Sequence, residues 1–190
     1  DFVPEATSGN STAIDIAAAP DVVWQAIEEL RVDDLRATRV LMGIRSLPAR
    51  VLRRGSLRSR RDVSARPLFD AMAAGRFVVL HRQPGTMLTL GLVGQFWKLS
   101  GGDDAGVRSA AEFVDFDQPG FVKSAIDVEL ERRTGGTRLT THTCNRATDA
   151  TTARRFRRYW LLVGPGSKAI RFDMLRALRR RAEALLRDGG

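Results

Sequence analysis

The sequence predicts an α+β domain in which an antiparallel sheet curves around one long C-terminal helix, and three observations carry that expectation. In the last forty or so residues Phe156, Trp160, Val163, Ser167, Ile170, Met174, Leu178 and Ala182 recur at three- and four-residue spacing, while arginines occupy most of the remainder. That is the stripe with which a helix covers a core. Upstream, residues 76–99 and 121–148 each alternate apolar and polar side chains about a glycine-bearing turn, the mark of a hairpin. Strand, helices, an antiparallel set of strands and a closing helix make an α+β order.

Taken in order, residues 1–11 are polar and read as a flexible leader, and residues 12–187 as a single domain. Ile14 and Ile16 alternate with small or polar neighbours, as in a strand. Pro20 suits the first turn of a helix, and Val23, Trp24, Ile27 and Leu30 follow at helical spacing. A second helical pattern runs from Leu35 to Arg54, interrupted by Pro48, and leads into an exposed basic loop. Pro67 and Gly75 then bracket a short helix.

In the first hairpin a turn at Pro84-Gly85 pairs Gln83 with Thr86. Phe77, Val79, His81, Leu88, Leu90 and Leu92 then share a face that is apolar except for His81, so this face points toward the long helix. Ser109 and Glu112 form a capping box ahead of Phe113 and Phe116, and Pro119-Gly120 ends that short helix. In the final hairpin a turn at Gly135-Gly136 sets Thr134 opposite Thr137. Ile126, Val128 and Leu130 then face inward with Leu139, Thr141, Thr143 and Asn145. Thr148 or Asp149 caps the long helix. Gly164-Pro165-Gly166 is expected to kink it, because Pro165 lacks an N–H and clashes with the preceding turn.

Composition narrows the function classes. No apolar run approaches 18 residues, so no segment is expected to span a membrane. The opening residues lack the order of a secretory leader and Cys144 is the single cysteine, which excludes an intrachain disulfide and points to a cytoplasmic protein. The net charge of +9 is concentrated in residues 31–66 and 150–190, each about +8, on an otherwise acidic body. Solvated helix faces explain most such runs, with weak attraction to an anionic membrane surface as the functional alternative. Nucleic-acid binding is not expected, because interleaved aromatic stacking residues are missing. No Gly-rich phosphate loop, His-x-x-x-His or nucleophile elbow is present, so neither cofactor nor metal is expected.

The element order, together with GLVGQFW, FDQPGF, GGTRLTTHTCNRATD and FRRYWLLVGPGSKAIRFDMLRA, resembles bacterial proteins of the START-like superfamily (SRPBCC, polyketide cyclase/dehydrase-like, Bet v 1-like) over about residues 12 to 184. The closing motif resembles a subgroup with no assigned reaction. The resemblance implies the helix-grip fold, with a deep cavity between curved sheet and C-terminal helix that holds lipids, sterols or polyketides. His142 departs from the pattern, since the matched strand often carries an acidic residue there.

The expected ligand wall is His81, Leu88, Leu90, Leu92, Ile126, Val128, Thr141, Thr143, Asn145, Trp160 and Val163, and the expected partner is a small apolar molecule. His81 is the weak catalytic candidate, a general base or ligand-orienting group by virtue of a pKa near neutrality, against the alternative of a structural histidine. Thr141, Thr143 and Asn145 either bond one another and water or meet the polar end of a ligand. His142 is expected to pair with Glu129 on the outer face. Two function classes follow: a carrier or sensor of an apolar ligand, and a cyclase or dehydratase using the same cavity.

Overall fold

The computed structural model of the chain describes residues 2–3, 8–35, 66–98, 103 and 105–188. The helical pattern of residues 35–54 and the basic loop after it lie outside the described residues, apart from their ends. Among the described residues five strands, β1 (Ser8–Ile16), β2 (Val78–Gln83), β3 (Met87–Gly94), β4 (Val122–Arg133) and β5 (Gly136–Ala147), form an open antiparallel sheet in the order β1-β5-β4-β3-β2. Helices α1 (Pro20–Glu29), α2 (Leu68–Ala73), α3 (Ala110–Asp115) and α4 (Ala150–Asp188) complete the described α+β fold.

Alternation along the strands sorts the sheet into two faces. On the inner face Ile16, Leu88, Leu90, Val128, Leu130 and Leu139 meet Val23, Trp24 and Ile27 of α1 and Met174, Leu175 and Leu178 of α4 in the main core. On the outer face Val78, Leu80, Val93 and Ala125 pack with Phe113 of α3 in a second, smaller one. The capping box that starts α3 is present, with the Ser109 hydroxyl accepting from the Glu112 amide and the Glu112 carboxylate accepting from the Ser109 amide.

Both hairpin registers differ from expectation, for separate reasons. In the first, Val79 pairs with Leu90 as the alternation requires, but a bulge after Val79 and a three-residue turn shift the rest by one. His81 therefore stands opposite Thr89, and Arg82 opposite Leu88. A one-residue slip exchanges faces: Thr89 donates its hydroxyl to Asp127 on the outer face, 2.8 Å away, and His81 is exposed on that side. In the second hairpin the turn falls at Thr134-Gly135, with Gly135 at φ 83°, so Glu129 pairs with Thr140 and Asp127 with His142. Gly136 is already strand, pressed so closely on β1 that a Cβ there would collide with the Ile16 carbonyl oxygen. The shift is by two residues, which changes partners and keeps faces. Ile126, Val128 and Leu130 share the inner face with Leu139, Thr141, Thr143 and Asn145 as expected, but His142 stands opposite Asp127 and not Glu129.

Strand β1 reaches back to Ser8, into the stretch that looked like a flexible leader, because Ser8, Gly9 and Asn10 pair with Asn145, Cys144 and Thr143. Helix α4 continues through Gly164-Pro165-Gly166 as one helix. Asp149 caps it, accepting from the Thr152 amide (2.8 Å) and hydroxyl (2.6 Å) and from the Gly120 amide (2.7 Å). These bonds, the Thr152 hydroxyl first, hold the Asp149 carboxyl at a pKa of about 2.

Candidate functional site

The β1–β5 ladder changes character along its length. Ile14 pairs with Leu139 at one end of the inner face, and beyond it Thr12 pairs with Thr141, Asn10 with Thr143 and Ser8 with Asn145. Three successive cross-strand pairs on a covered face are thus polar. Thr141, Thr143 and Asn145 are buried, at 0%, 7% and 2% exposure, and Ser124 of β4 extends the patch by donating to the Asn145 side-chain oxygen at 2.8 Å.

Helix α4 sets a cation over this patch. Arg171 lies four residues after Ser167 and three before Met174, on the helix's inward stripe, and is 5% exposed. Its Nη1 donates to the Thr143 hydroxyl at 2.6 Å and to the Asn10 carbonyl at 3.4 Å, and its Nη2 donates to the Ser167 hydroxyl at 3.1 Å. No carboxylate among the described residues pairs with it, and burial lowers its pKa from the ordinary arginine value. Arginine stays charged regardless, so the guanidinium is a desolvated cation held by neutral oxygens.

Among the described residues five buried polar atoms find no hydrogen-bond partner: Ser8 Oγ, Asn10 Oδ1, Thr12 Oγ1, Thr141 Oγ1 and Arg171 Nε. All five belong to this patch. Buried polar atoms are nearly always bonded, so their gathering in one place calls for a physical account.

The apolar surroundings are incompletely buried. Between Phe156 and Arg171 no side chain of α4 is buried. Trp160 and Val163 are only partly covered, as are Leu92 and Ile126 on the sheet's inner face. Phe156 anchors the start of this stretch, with ring centroids 6.1 Å from Phe96 and 5.5 Å from Trp160. Leu161 and Leu162, on the far side of the helix, are 75% and 84% exposed.

The expected wall therefore divides. Thr141, Thr143, Asn145, Ile126, Leu92, Trp160 and Val163 lie at the polar patch or on the incompletely buried apolar surface leading from it. Leu88, Leu90 and Val128 are packed core, 4%, 1% and 1% exposed. His81 is on the opposite face of the sheet, so it cannot meet anything held between sheet and helix. A small cavity of about 40 Å³ does touch Leu88 and Leu90, between α1, α2 and β3. It is far below the roughly 300 Å³ at which small-molecule sites begin. Arg82 and Trp24 both donate to Glu28 at its edge, at 2.8 and 2.9 Å.

Arg171, Ser124 of β4 and the β1 residues Ser8, Asn10 and Thr12 are the members that sequence reasoning missed. Helical phase was the available signal for Arg171, since it falls on the apolar stripe and not among the outward arginines. Strand parity was the signal for Ser8, Asn10 and Thr12, which share it with Ile14 and Ile16. Lys123 on the outer face, also a buried cation among the described residues, differs in being satisfied locally. It donates to the Val114 carbonyl of α3 at 2.7 Å and sits 5.2 Å from the centre of the Phe113 ring.

Among the described residues no three His, Cys, Asp or Glu side chains gather as metal ligands, and no helix is long and apolar enough to cross a membrane. Compared with family models, curated proteins and solved structures, the chain finds no match in any of the three.

Proposed function

We propose that this chain is a helix-grip protein of START-like kind that binds a small, largely apolar molecule between the inner face of the sheet and the incompletely buried stretch of α4. The observation that carries this reading is the coincidence of two features that a closed core avoids. The five unpartnered buried atoms sit together, and they adjoin the part of α4 that buries nothing of its own. A ligand with an apolar body and one polar end supplies what both lack, since it covers Leu92, Ile126, Trp160 and Val163 while its polar end bonds the patch. Pro165 supports entry from this side: it leaves the Leu161 carbonyl without its helical donor, so α4 is weakest to bending where it would have to move. The element order and the sequence resemblance favour the same fold, and the cytoplasm is its proposed location.

The cyclase or dehydratase alternative draws no support from a specific contact. With His81 on the outer face, the inner patch offers hydroxyls, amides and a guanidinium, none of which exchanges protons readily near neutral pH.

The neutral fluorophore N-phenyl-1-naphthylamine tests the reading. Saturable one-to-one binding to the folded protein is expected. Ile126→Trp, which fills the space along the incompletely buried stretch, should weaken it by about tenfold or more while the protein still unfolds cooperatively, because that space supplies most of a ligand's contact area. Absence of saturable binding, or binding indifferent to Ile126→Trp, would reject the site.

A further inference from the structure

The proposed site leaves the chemistry of the ligand's polar end open, and Arg171 narrows it. Burying a cation without a counter-charge is among the costlier things a fold can do, and an arginine cannot escape by losing its proton. The bonds it makes do not neutralise it, because Thr143, Ser167 and the Asn10 carbonyl are all uncharged. If holding α4 to β1 and β5 were its whole task, a neutral side chain would do so without that cost.

The unsatisfied part of the guanidinium also has a shape. Nη1 is engaged twice, whereas the edge formed by Nε and Nη2 carries only the Ser167 bond, and Nε has no partner. That edge presents two parallel N–H groups, the fork that matches the two oxygens of a carboxylate. The neighbouring unpartnered hydroxyls of Thr12 and Thr141 can donate as well as accept, and the Asn10 amide can present its NH₂ by turning end for end. The whole patch can therefore turn donors toward one anionic group.

We infer that Arg171 is an anion anchor: it receives the carboxylate of an otherwise apolar monocarboxylic acid, a fatty or aromatic acid, whose body lies along the incompletely buried stretch of α4. This rests on the binding site proposed above and adds its selectivity. The exposed arginines of α4 do not compete for the role, because a solvated cation gains little from an ion pair, whereas one already desolvated gains more.

Displacement of N-phenyl-1-naphthylamine by matched pairs decides the matter: decanoate against decanol, and 2-naphthoate against 2-naphthol, at neutral pH. Each acid is expected to displace the probe at about 10- to 100-fold lower concentration than its alcohol, the usual worth of hydrogen bonds to a charged group. Arg171→Met should abolish that preference, so that each acid and its alcohol displace the probe at similar concentrations. Arg171→Lys, which keeps the charge and loses the fork, should retain a reduced preference. Probe binding with acids and alcohols displacing equally in the wild type overturns the anchor and leaves the site standing. An acid preference that survives Arg171→Met overturns the anchor as well, by locating the anion elsewhere. Failure of the probe and of all four competitors to bind overturns both.

Discussion

The two ends of the sheet's inner face make opposite use of the same helix. Under the C-terminal half of α4, Leu139 of β5 packs in one core with Leu175 and Leu178, all at 0% exposure, and among the described residues no unpartnered polar atom is found there. Towards the N-terminal half, the same strand continues as Thr141, Thr143 and Asn145, and α4 answers with Arg171 and then, back to Phe156, with side chains that are only partly covered or exposed. One end is saturated by its own chain in both volume and hydrogen bonding. The other is deficient in both. On the binding site proposed above, stability and binding are separated along a single helix: the packed end holds α4 on the sheet, so the deficient end can admit a ligand without unfolding the domain.

The largest effects should mark the packed end. Leu178→Ala is expected to cost about 2–5 kcal/mol, the range for emptying a close-packed aliphatic site. Val163→Ala, on the same helix beside the patch, should cost well under about 1 kcal/mol, since little of the removed surface was covered. Urea denaturation of both variants checks the contrast, and equal losses would erase the distinction between the two halves.

How the sequence encodes this division explains what it revealed. Apolar alternation exposed the inner face of β4 and β5, because Ile126, Val128, Leu130 and Leu139 leave no other face to bury. Capping chemistry exposed the starts of α3 and α4, because Ser109 with Glu112 and Asp149 with Thr152 are local signals. The bulge after Val79 had no such signal, since Val78, Val79 and Leu80 are all apolar and can serve either face. That single extra residue carried His81 out of the site to which alternation had assigned it. The deficient end was hardest to read for a related reason. Ser8, Asn10 and Thr12 form a strand without an apolar stripe, and Arg171 is hidden among the other arginines of its helix. Polar residues at buried positions defeat pattern reading wherever they serve something other than the core.

A smaller effect belongs to the junction that aims the open half of α4. Asp149 bonds both Thr152 and the Gly120 amide, tying the helix start to the loop before β4. Asp149→Asn should lower the melting temperature by about 2–4 °C at neutral pH, the usual cost of a weakened cap in a domain of this size. Its folded pKa of about 2 lies below the ordinary aspartate value of 3.8. Its stabilisation is therefore fully present above about pH 4 and is lost as the pH falls toward 2, where the carboxylate protonates in the folded state as well. Melting curves of wild type and variant should accordingly converge across that window. A difference that stays constant down to pH 2 would mean the carboxylate's charge contributes nothing to the cap.

The smallest effect, that of Thr141→Val, is the most diagnostic, because Thr137→Val at the packed end should be costly where Thr141→Val is not. Thr137 and Thr141 lie on one face of β5, 1% and 0% exposed, and valine matches threonine in shape and in preference for strands. At the packed end the Thr137 hydroxyl donates to the Ala18 carbonyl at 2.7 Å. Thr137→Val removes that bond and strands the carbonyl, which should cost about 1–2 kcal/mol. At the deficient end the Thr141 hydroxyl is buried with no partner in the protein, so Thr141→Val loses no internal bond and relieves a desolvated polar group. It should leave the ligand-free domain unchanged or stabilise it by up to about 1 kcal/mol, while weakening the binding of a carboxylic acid. Urea denaturation without ligand, followed by decanoate titration, checks both halves of that statement. A Thr141→Val protein as destabilised as Thr137→Val would show that the hydroxyl already serves the fold, and that the patch is ordinary core.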